Sequence, residues 1–194
     1  MSNGFDGFRC EILEDQFSFD LERFASRDPG MNTWLANHAL DYVTHGYARV
    51  WVLTPTRGDT GVVAGFFALS NFEILRGDVP RGLLQDGGGK TLSQRIPATL
   101  LGKFAVAREF EGSGVSDILM YWVNAKVLEA SKIAASKFLV VELRASDQTR
   151  NFLDNYYQTR FGFSTLARAE DGISDSLARS VDDIAADLEK ISGS

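Results

Sequence analysis

The most informative segment for the architecture is residues 97–127, PATLLGKFAVAREFEGSGVSDILMYWVNAKV. Its first part, Pro97 to Val106, is almost entirely apolar, which predicts a strand in the centre of a sheet. Its last part, from Val115, repeats apolar residues at steps of three and four, which predicts a helix to about Ser131. A turn with two glycines lies between them. The core of the architecture is therefore a strand, a glycine turn and a helix.

The pattern continues towards the C-terminus. Lys137–Leu143 (KFLVVEL) predicts a second buried strand. A helix is expected from Asp147, a plausible N-cap, to about Thr159. The unit of strand, helix and buried second strand over 97–143 implies that its two strands lie parallel. We expect further strands from Phe161 and over Ser174–Ser180, and a terminal helix from Asp182.

The N-terminal part predicts a different arrangement. Phe8–Leu13 is strand-like, and Pro29 to about Tyr42 has helical spacing. Tyr47–Leu53 and Val62–Leu69 flank a turn cluster, which predicts an antiparallel hairpin. Residues 76–96 form an irregular insertion. The whole pattern predicts one domain over residues 1–194 with a mixed-sheet α/β fold.

Composition narrows the class of protein. The chain has 194 residues, 44% of them hydrophobic and 24% charged, which suits a single globular domain. No stretch approaches the roughly 18 consecutive apolar residues that span a bilayer, and the N-terminus lacks the pattern of a signal peptide. The lone Cys10 and two histidines make a poor metal site. We expect a cytoplasmic protein without a metal or a membrane partner.

The charge is unevenly distributed. The net charge is −6 and the pI is about 5.0, so the whole chain does not attract nucleic acid. Residues 76–108, however, contain six basic and two acidic residues, a net charge of +4. The segment is either an ordinary solvated loop surface or a local surface for an anionic ligand.

The glycine turn has the composition of an anion site. Gly112 and Gly114, on either side of Ser113, allow successive backbone N–H groups to point at one anion. The helix that follows adds the positive end of its dipole. A pyrophosphate fits such a turn without a cationic side chain.

The strand and the turn together resemble a known family. Leu101–Val106 (LGKFAV) followed by Glu111–Gly114 (EGSG) is similar to the strand-and-loop signature of GNAT acetyltransferases. That loop begins with Gln or Arg, where this chain has Glu109, and Arg108 is the nearest cation in sequence. Ser116 stands where the family often has a further glycine.

Two more segments resemble one branch of that family, the tRNA-acetylating GNAT toxins. Residues 24–35 (FASRDPGMNTWL) match its N-terminal motif at Phe24, Asn32, Trp34 and Leu35, while Ser26 and Arg27 replace Cys-Gly. An Ile-Pro pair precedes the strand, as in the toxins. The third match is Tyr156-Tyr157 ahead of Phe161-Gly162-Phe163, with one residue more than the family has.

The resemblance implies a fold, a co-substrate and a set of residues. The fold is a mixed, centrally splayed sheet of about six to seven strands flanked by helices, with its core at about 8–168 and a C-terminal strand and helix at 169–194. The co-substrate is acetyl-CoA. The acid that protonates its sulfur is Tyr157, with Tyr156 as the alternative. The residues expected at acetyl-CoA are Phe104, Ala105, Val106, Glu111, Gly112, Ser113, Gly114, Val115, Ser116 and Asn151.

Some assignments stay open at this point. Asn151 suits either the pantetheine arm or a solvated helix surface. A general base is not evident: Glu142 is the best carboxylate, although an exposed strand end explains it better. His38 and His45 are expected on a helix surface.

Three functions fit the sequence. The first is an acetyltransferase for the α-amine of an aminoacyl-tRNA, with an antitoxin partner and a homodimer as the resemblance suggests. The second is an acetyltransferase for a small amine or peptide, which an acidic chain favours. The third is a degenerate domain that binds acyl-CoA without turnover, which Glu109 and the extra residue motivate.

Overall fold

The computed structural model describes residues 7–15, 18–58, 61–84, 93–144, 147–166 and 174–193. Within these ranges the strands are β1 (Phe8–Ile12), β2 (Arg49–Pro55), β3 (Gly65–Leu75), β4 (Arg95–Val106), β5 (Phe138–Arg144), β6 (Ser164–Thr165) and β7 (Ser174–Ser180). The helices are α1 (Pro29–Asn37), α2 (Ala39–Thr44), α3 (Val115–Ser131), α4 (Asp147–Phe161) and α5 (Val181–Ser192). None of these helices is long and apolar enough to cross a membrane.

The strands form one mixed sheet in the order β1-β2-β3-β4-β5-β7-β6. Antiparallel pairs join β1 to β2 and β2 to β3, so the predicted hairpin is confirmed. The pair β4 and β5 is parallel, as the intervening helix α3 requires, with Ala98 opposite Phe138. The last strand, β7, lies antiparallel between β5 and β6. The predicted mixed α/β sheet of six to seven strands with flanking helices is confirmed.

Two helix boundaries differ from the sequence prediction. The helix expected to run from Pro29 to about Tyr42 is broken at His38, whose φ of −128° is not helical. The break leaves Trp34, Leu35 and Ala39 all buried, so the apolar spacing continues across it.

The second difference lies at the end of α4. The strand predicted from Phe161 is wrong, because Phe161 is the last residue of the helix. Gly162 follows with φ of +70°, the left-handed conformation that commonly ends a helix. The strand begins only at Ser164.

The predicted insertion is only partly irregular. Residues 76–78 and 81–83 form two short 3₁₀ turns, and β4 begins at Arg95 rather than at Pro97. The three glycines at 87–89 lie outside the described residues.

The chain divides into two compact units. The first comprises Met1–Ser70 and Gly102–Val123, and its core contains Phe66, Leu35 and Val50, all fully buried. The second comprises Asn71–Leu101 and Asn124–Ser194. Its core contains the buried residues Phe138, Val140, Leu166 and Ala178.

The terminal helix α5 is capped at its N-terminus and is joined by a salt bridge to the end of β7. Ser180 caps it by accepting a hydrogen bond from the Asp183 N–H (3.0 Å). One turn further on, Asp187 pairs with Arg179, whose side chain is only 8% exposed. Lys190 donates to the same carboxylate at 2.9 Å. The hydrogen bond from Lys190, together with the positive charges of Lys190 and Arg179, lowers the pKa of Asp187 below its usual value.

We expect Asp187→Asn to lower the free energy of unfolding by about 1–2 kcal/mol at neutral pH. The change leaves the buried Arg179 guanidinium without its carboxylate, and the half-exposed position of Asp187 limits the loss. Chemical denaturation measures the effect. Lys190→Gln is the matched control: the Lys190 side chain is 76% exposed, so the expected loss is a few tenths of a kcal/mol.

The stabilisation is also expected to depend on pH. A carboxylate whose pKa is lowered by folding stabilises the protein above its unfolded value, about 3.9, and stops doing so as the pH falls through the folded value. The difference between wild type and Asp187→Asn should therefore shrink in acid. A difference that stays constant from neutral pH to pH 3 would contradict the role of this charge.

Candidate active site

The end of β4 positions the candidate site. Ala105 is buried, and the side chains on either side of it, Phe104 and Val106, are half-buried. The Ala107 N–H donates to the carbonyl of Ala64 (2.9 Å). A Cβ on Gly65 would come within 3.0 Å of the Ala105 carbonyl oxygen. A residue without a side chain is therefore required where β3 approaches this part of β4.

The loop that follows is held by its own backbone. Residues 108–110 make one 3₁₀ turn, in which the Phe110 N–H donates to the Ala107 carbonyl (2.9 Å). The Ser113 hydroxyl donates back to the Phe110 carbonyl (2.5 Å). Gly112 and Gly114 have φ of +74° and +83°, which side-chain-bearing residues rarely adopt.

The loop leads directly into the start of α3. The first bonded N–H groups of the helix are those of Asp117 and Ile118, which both donate to the Gly114 carbonyl (3.0 and 3.3 Å). The N–H groups of Val115 and Ser116 therefore precede the first hydrogen bond of the helix. Among the described residues, apart from the adjoining ones, no atom lies within 4 Å of where a Cβ would stand on Gly112 or Gly114. An open turn with left-handed glycines at a helix N-terminus fits a pyrophosphate.

The N-terminal segment contacts this loop and supports it. These contacts could not be predicted from the sequence. The Arg108 N–H donates to the Ala25 carbonyl (2.9 Å). Arg27 binds the Glu111 carboxylate through two of its nitrogens: Nε lies 3.0 and 2.8 Å from the two oxygens, and Nη2 lies 2.7 Å from one of them. The only feature of the sequence that points to this ion pair is that Arg27 departs from the toxin motif.

The motif around residues 24–35 has a structural explanation. The Asn32 side-chain oxygen accepts hydrogen bonds from the N–H and the hydroxyl of Ser26, both at 2.8 Å. Trp34 is buried against Phe66, and the Lys103 ammonium lies 5.4 Å from the centre of its ring. These contacts fix the segment that carries Ala25 and Arg27.

The two charged residues at the start of the loop are both on the surface. Arg108 and Glu109 belong to the 3₁₀ turn, and both are exposed. The carboxylate of Glu109 is therefore solvated in the free protein.

The two candidate tyrosines lie on α4, in the second unit. Tyr157 is 6% exposed and contacts Phe161 and Phe163, with ring centres 6.1 and 5.5 Å away. Tyr156 is half-buried, and its ring centre lies 5.7 Å from that of Tyr157. Burial, and to a smaller extent the neighbouring Tyr156, raises the pKa of Tyr157 well above its usual value. This phenol therefore stays protonated at neutral pH.

The end of α4 shows one wide turn. The Gly162 N–H donates to the Gln158 carbonyl (3.1 Å), and the Phe163 N–H donates to the Tyr157 carbonyl (3.3 Å). The second bond reaches six residues back, whereas the comparable bond of the common Schellman helix end reaches five. The helix end is thus one residue wider between Tyr157 and the glycine.

The remaining candidates are on the surface or only partly buried. Asn151 is exposed in the second turn of α4, and Glu142 is half-buried on β5 opposite Ser176. His38 and His45 are exposed, and the His45 ring lies 2.8 Å from the Asp41 carbonyl oxygen. In the described part of the chain, no three His, Cys, Asp or Glu residues are grouped as metal ligands would be.

The basic segment, residues 76–108, presents fewer free cations than its sequence suggests. Arg95 pairs with Glu73, and Lys103 is half-buried beside Trp34. Arg81 and Arg108 are exposed, and Lys90 lies outside the described residues.

A separate cavity of about 510 Å³ lies in the first unit. Three carboxylates, those of Glu11, Glu14 and Asp15, line it together with Arg9. Arg9 pairs with Glu11 at 3.3 Å. Three carboxylates and one guanidinium leave these four residues with a net negative charge.

Comparison with known proteins identifies the fold. No sequence-family model matches the chain, and no curated protein matches it by sequence. A solved structure of a tyrosine-to-phenylalanine mutant of KacT is 24% identical, with a TM-score of 0.76 over 93% of this chain and 98% of KacT. AtaT in complex with acetyl-methionyl-tRNA is 23% identical, with a TM-score of 0.75 over 93% and 99% of the two chains.

A third match is a mutant of the toxin AtaT bound to the C-terminus of the antitoxin AtaR and to acetyl-CoA. It is 21% identical, with a TM-score of 0.70 over 93% and 98% of the two chains. The chain has the GNAT fold. The resemblance to the GNAT toxins, first seen in three short motifs, is therefore confirmed at the level of the fold over nearly the whole chain.

Proposed function

We propose that the protein is an acetyl-CoA-dependent N-acetyltransferase. The observation that carries the proposal is the open loop of Gly112 and Gly114 between β4 and α3, in a chain with the GNAT fold. The loop would hold the pyrophosphate through its N–H groups. Phe104–Val106 would orient the acetyl group along the edge of β4. Acetyl-CoA is bound in the AtaT structure described above, which supports the same co-substrate here.

The reaction needs a neutral amine, an oriented thioester and a proton for the departing sulfur. The amine nitrogen attacks the carbonyl carbon and forms the amide bond. The carbon–sulfur bond then breaks, the sulfur takes a proton to become the CoA thiol, and the nitrogen loses a proton. We assign the protonation of the sulfur to Tyr157, which burial keeps protonated.

The wide end of α4 supports Tyr157 over Tyr156. The extra residue between the tyrosine pair and Gly162 is accommodated at the helix end, where the Phe163 N–H reaches back to Tyr157. The pair then aligns with the Phe-Tyr of the family, and its second member is the acid. Asn151 remains a candidate contact for the pantetheine arm.

We further propose that the acceptor is the α-amine of an aminoacyl-tRNA. The similarity to AtaT, which was solved with acetyl-methionyl-tRNA, supports this substrate class. Arg81 and Arg108 are exposed cations of the basic segment that suit contacts with phosphates.

The AtaT complex with AtaR also supports an antitoxin partner, and a short ribbon-helix-helix-like gene immediately upstream would agree with it. A homodimer is proposed from the resemblance alone.

The cavity lined by Glu11, Glu14 and Asp15 favours a second candidate, a small cationic amine or peptide. Its negative charge would attract such an acceptor. A third candidate is a domain that binds acetyl-CoA without turnover.

An acceptor panel separates the three candidates. Acetyl-CoA is incubated with charged tRNA, with polyamines and with short basic peptides, and mass spectrometry detects the acetylated product. The proposal expects acetylation of the aminoacyl group, at a rate that falls steeply with salt at subsaturating tRNA. Acetylation of polyamines or peptides alone would select the second candidate. Binding of acetyl-CoA without any product would select the third.

We expect Glu109→Gln to keep or raise the affinity for acetyl-CoA. The change removes a like charge near the pyrophosphate and leaves the exposed 3₁₀ turn intact. Glu129→Gln, at an exposed position about four turns along α3 from its first residue, is the control for a change of net charge. A severalfold loss of affinity on calorimetric titration of Glu109→Gln would mean that this carboxylate contributes to binding.

A further inference from the structure

We propose that Arg27 binds a phosphate of the CoA moiety and that Glu111 holds it in place to do so. The inference rests on the proposed function. The charged residues of the loop, residues 108–114, are Arg108, Glu109 and Glu111, which give it a net charge of −1. The phosphates of CoA are anions, and the side chains of the loop add no net positive charge to the attraction of its N–H groups. Arg27 brings a positive charge from a distant part of the chain.

The geometry of the pair makes Arg27 available. A guanidinium has five N–H donors in a fixed planar arrangement. The contacts with Glu111 engage Nε and Nη2, on one edge of the group. The side chain of Arg27 is 82% exposed. The opposite edge, including Nη1, therefore faces solvent and can donate to a phosphate while the bond to Glu111 persists.

The position of the pair also fits this role. Glu111 immediately precedes Gly112, so its partner lies beside the left-handed turn. The Arg108 N–H bond to the Ala25 carbonyl fixes the backbone of the N-terminal segment to the same loop. The Ser26–Asn32 hydrogen bonds rigidify that segment around Arg27. A cation held in this way loses little conformational entropy on binding a phosphate.

Two departures from the GNAT sequence pattern are consistent with a phosphate contact of Arg27. Glu109 occupies the position where the loop of the family has Gln or Arg, and Arg27 occupies the position of the small Gly in the N-terminal motif. Relative to the pattern that the sequence resembles, the chain has a carboxylate within the loop and a cation next to it.

Titration of the protein with acetyl-CoA at several KCl concentrations tests the proposal. Arg27→Gln is expected to weaken binding about fivefold to tenfold at low salt. It should also reduce the dependence of affinity on salt, because one charge contact is lost. Arg27→Lys keeps the charge and should retain the salt dependence with a smaller loss. Arg49→Gln, which removes an exposed arginine on β2, is the matched control and should leave the affinity unchanged.

Dephospho-CoA identifies the phosphate. If the loss caused by Arg27→Gln persists with dephospho-CoA, Arg27 contacts the pyrophosphate; if it disappears, Arg27 contacts the 3′-phosphate. Both results support the proposal. A loss of affinity in Arg27→Gln without a change in salt dependence would show that the pair only stabilises the loop, and would overturn it. Unchanged affinity would overturn it as well, whereas failure of the wild type to bind acetyl-CoA would also overturn the proposed function.

Discussion

Tyr157→Phe is expected to lower kcat about 10²-fold or more with little change in the affinity for acetyl-CoA, since general acid catalysis typically contributes that much. The variant keeps the ring that packs against Phe161 and Phe163 and removes only the hydroxyl. Tyr156→Phe is the matched control, because it makes the same chemical change one residue earlier on α4. Single-turnover rates under saturating acetyl-CoA measure the effect.

The outcomes of this pair of variants are distinct. A large loss of kcat confined to Tyr156→Phe would reverse the assignment of the acid. Wild-type rates in both variants would mean that the sulfur leaves unassisted or takes its proton from water. In either case the wide helix end before Gly162 would not identify the catalytic acid.

The pH profile gives an independent check on Tyr157. An acid has to be protonated, and burial raises the pKa of this phenol above the usual tyrosine value of about 10. The kcat of the wild type is therefore expected to show no loss from deprotonation of the phenol as the pH rises to about 10. A decline of kcat at a lower pH that is absent in Tyr157→Phe would contradict the buried environment of the phenol.

Gly112→Val and Gly114→Val are each expected to weaken acetyl-CoA binding at least tenfold, or about 1.4 kcal/mol. Both glycines have positive φ, so a β-branched residue would force the turn out of its conformation. The open space around both positions means that backbone conformation, not a collision inside the protein, causes the effect.

Two other glycines provide unusually close controls. Gly46 and Gly58 have φ of +74° and +83°, the same values as Gly112 and Gly114, and their Cβ positions are equally open. Gly46→Val and Gly58→Val should therefore carry a similar backbone strain without a loss of affinity. Equal losses in all four variants would indicate general destabilisation, and unchanged affinity in the loop variants would remove the loop from the site.

The sequence predicted the centre of this fold well because the signals there are local. The apolar run of β4, the two glycines and the three-and-four spacing of α3 are adjacent in the chain, and α3 begins and ends where predicted. The end of α4 was mispredicted because Phe161-Gly162-Phe163 carries two competing signals. The phenylalanines favour a strand, whereas the glycine favours a helix stop, and the helix prevailed.

The candidate site was less predictable because its supporting contacts are remote in sequence. Arg27 and Glu111 are separated by 84 positions, and no local pattern indicates that they meet. The same holds for the bond between Arg108 and Ala25. The relative burial of Tyr156 and Tyr157 depends on the packing of Phe161 and Phe163. Because the motif has an extra residue, the sequence did not show which tyrosine packs against these rings.

The most direct test of the central claim, that the glycine loop holds acetyl-CoA, is a crystal structure of the protein with acetyl-CoA. We expect pyrophosphate oxygens at about 3 Å from the backbone nitrogens of residues 112–116. We also expect the acetyl group beside Phe104–Val106. Acetyl-CoA bound elsewhere on the protein, with the Gly112–Gly114 loop unoccupied, would contradict this role of the loop.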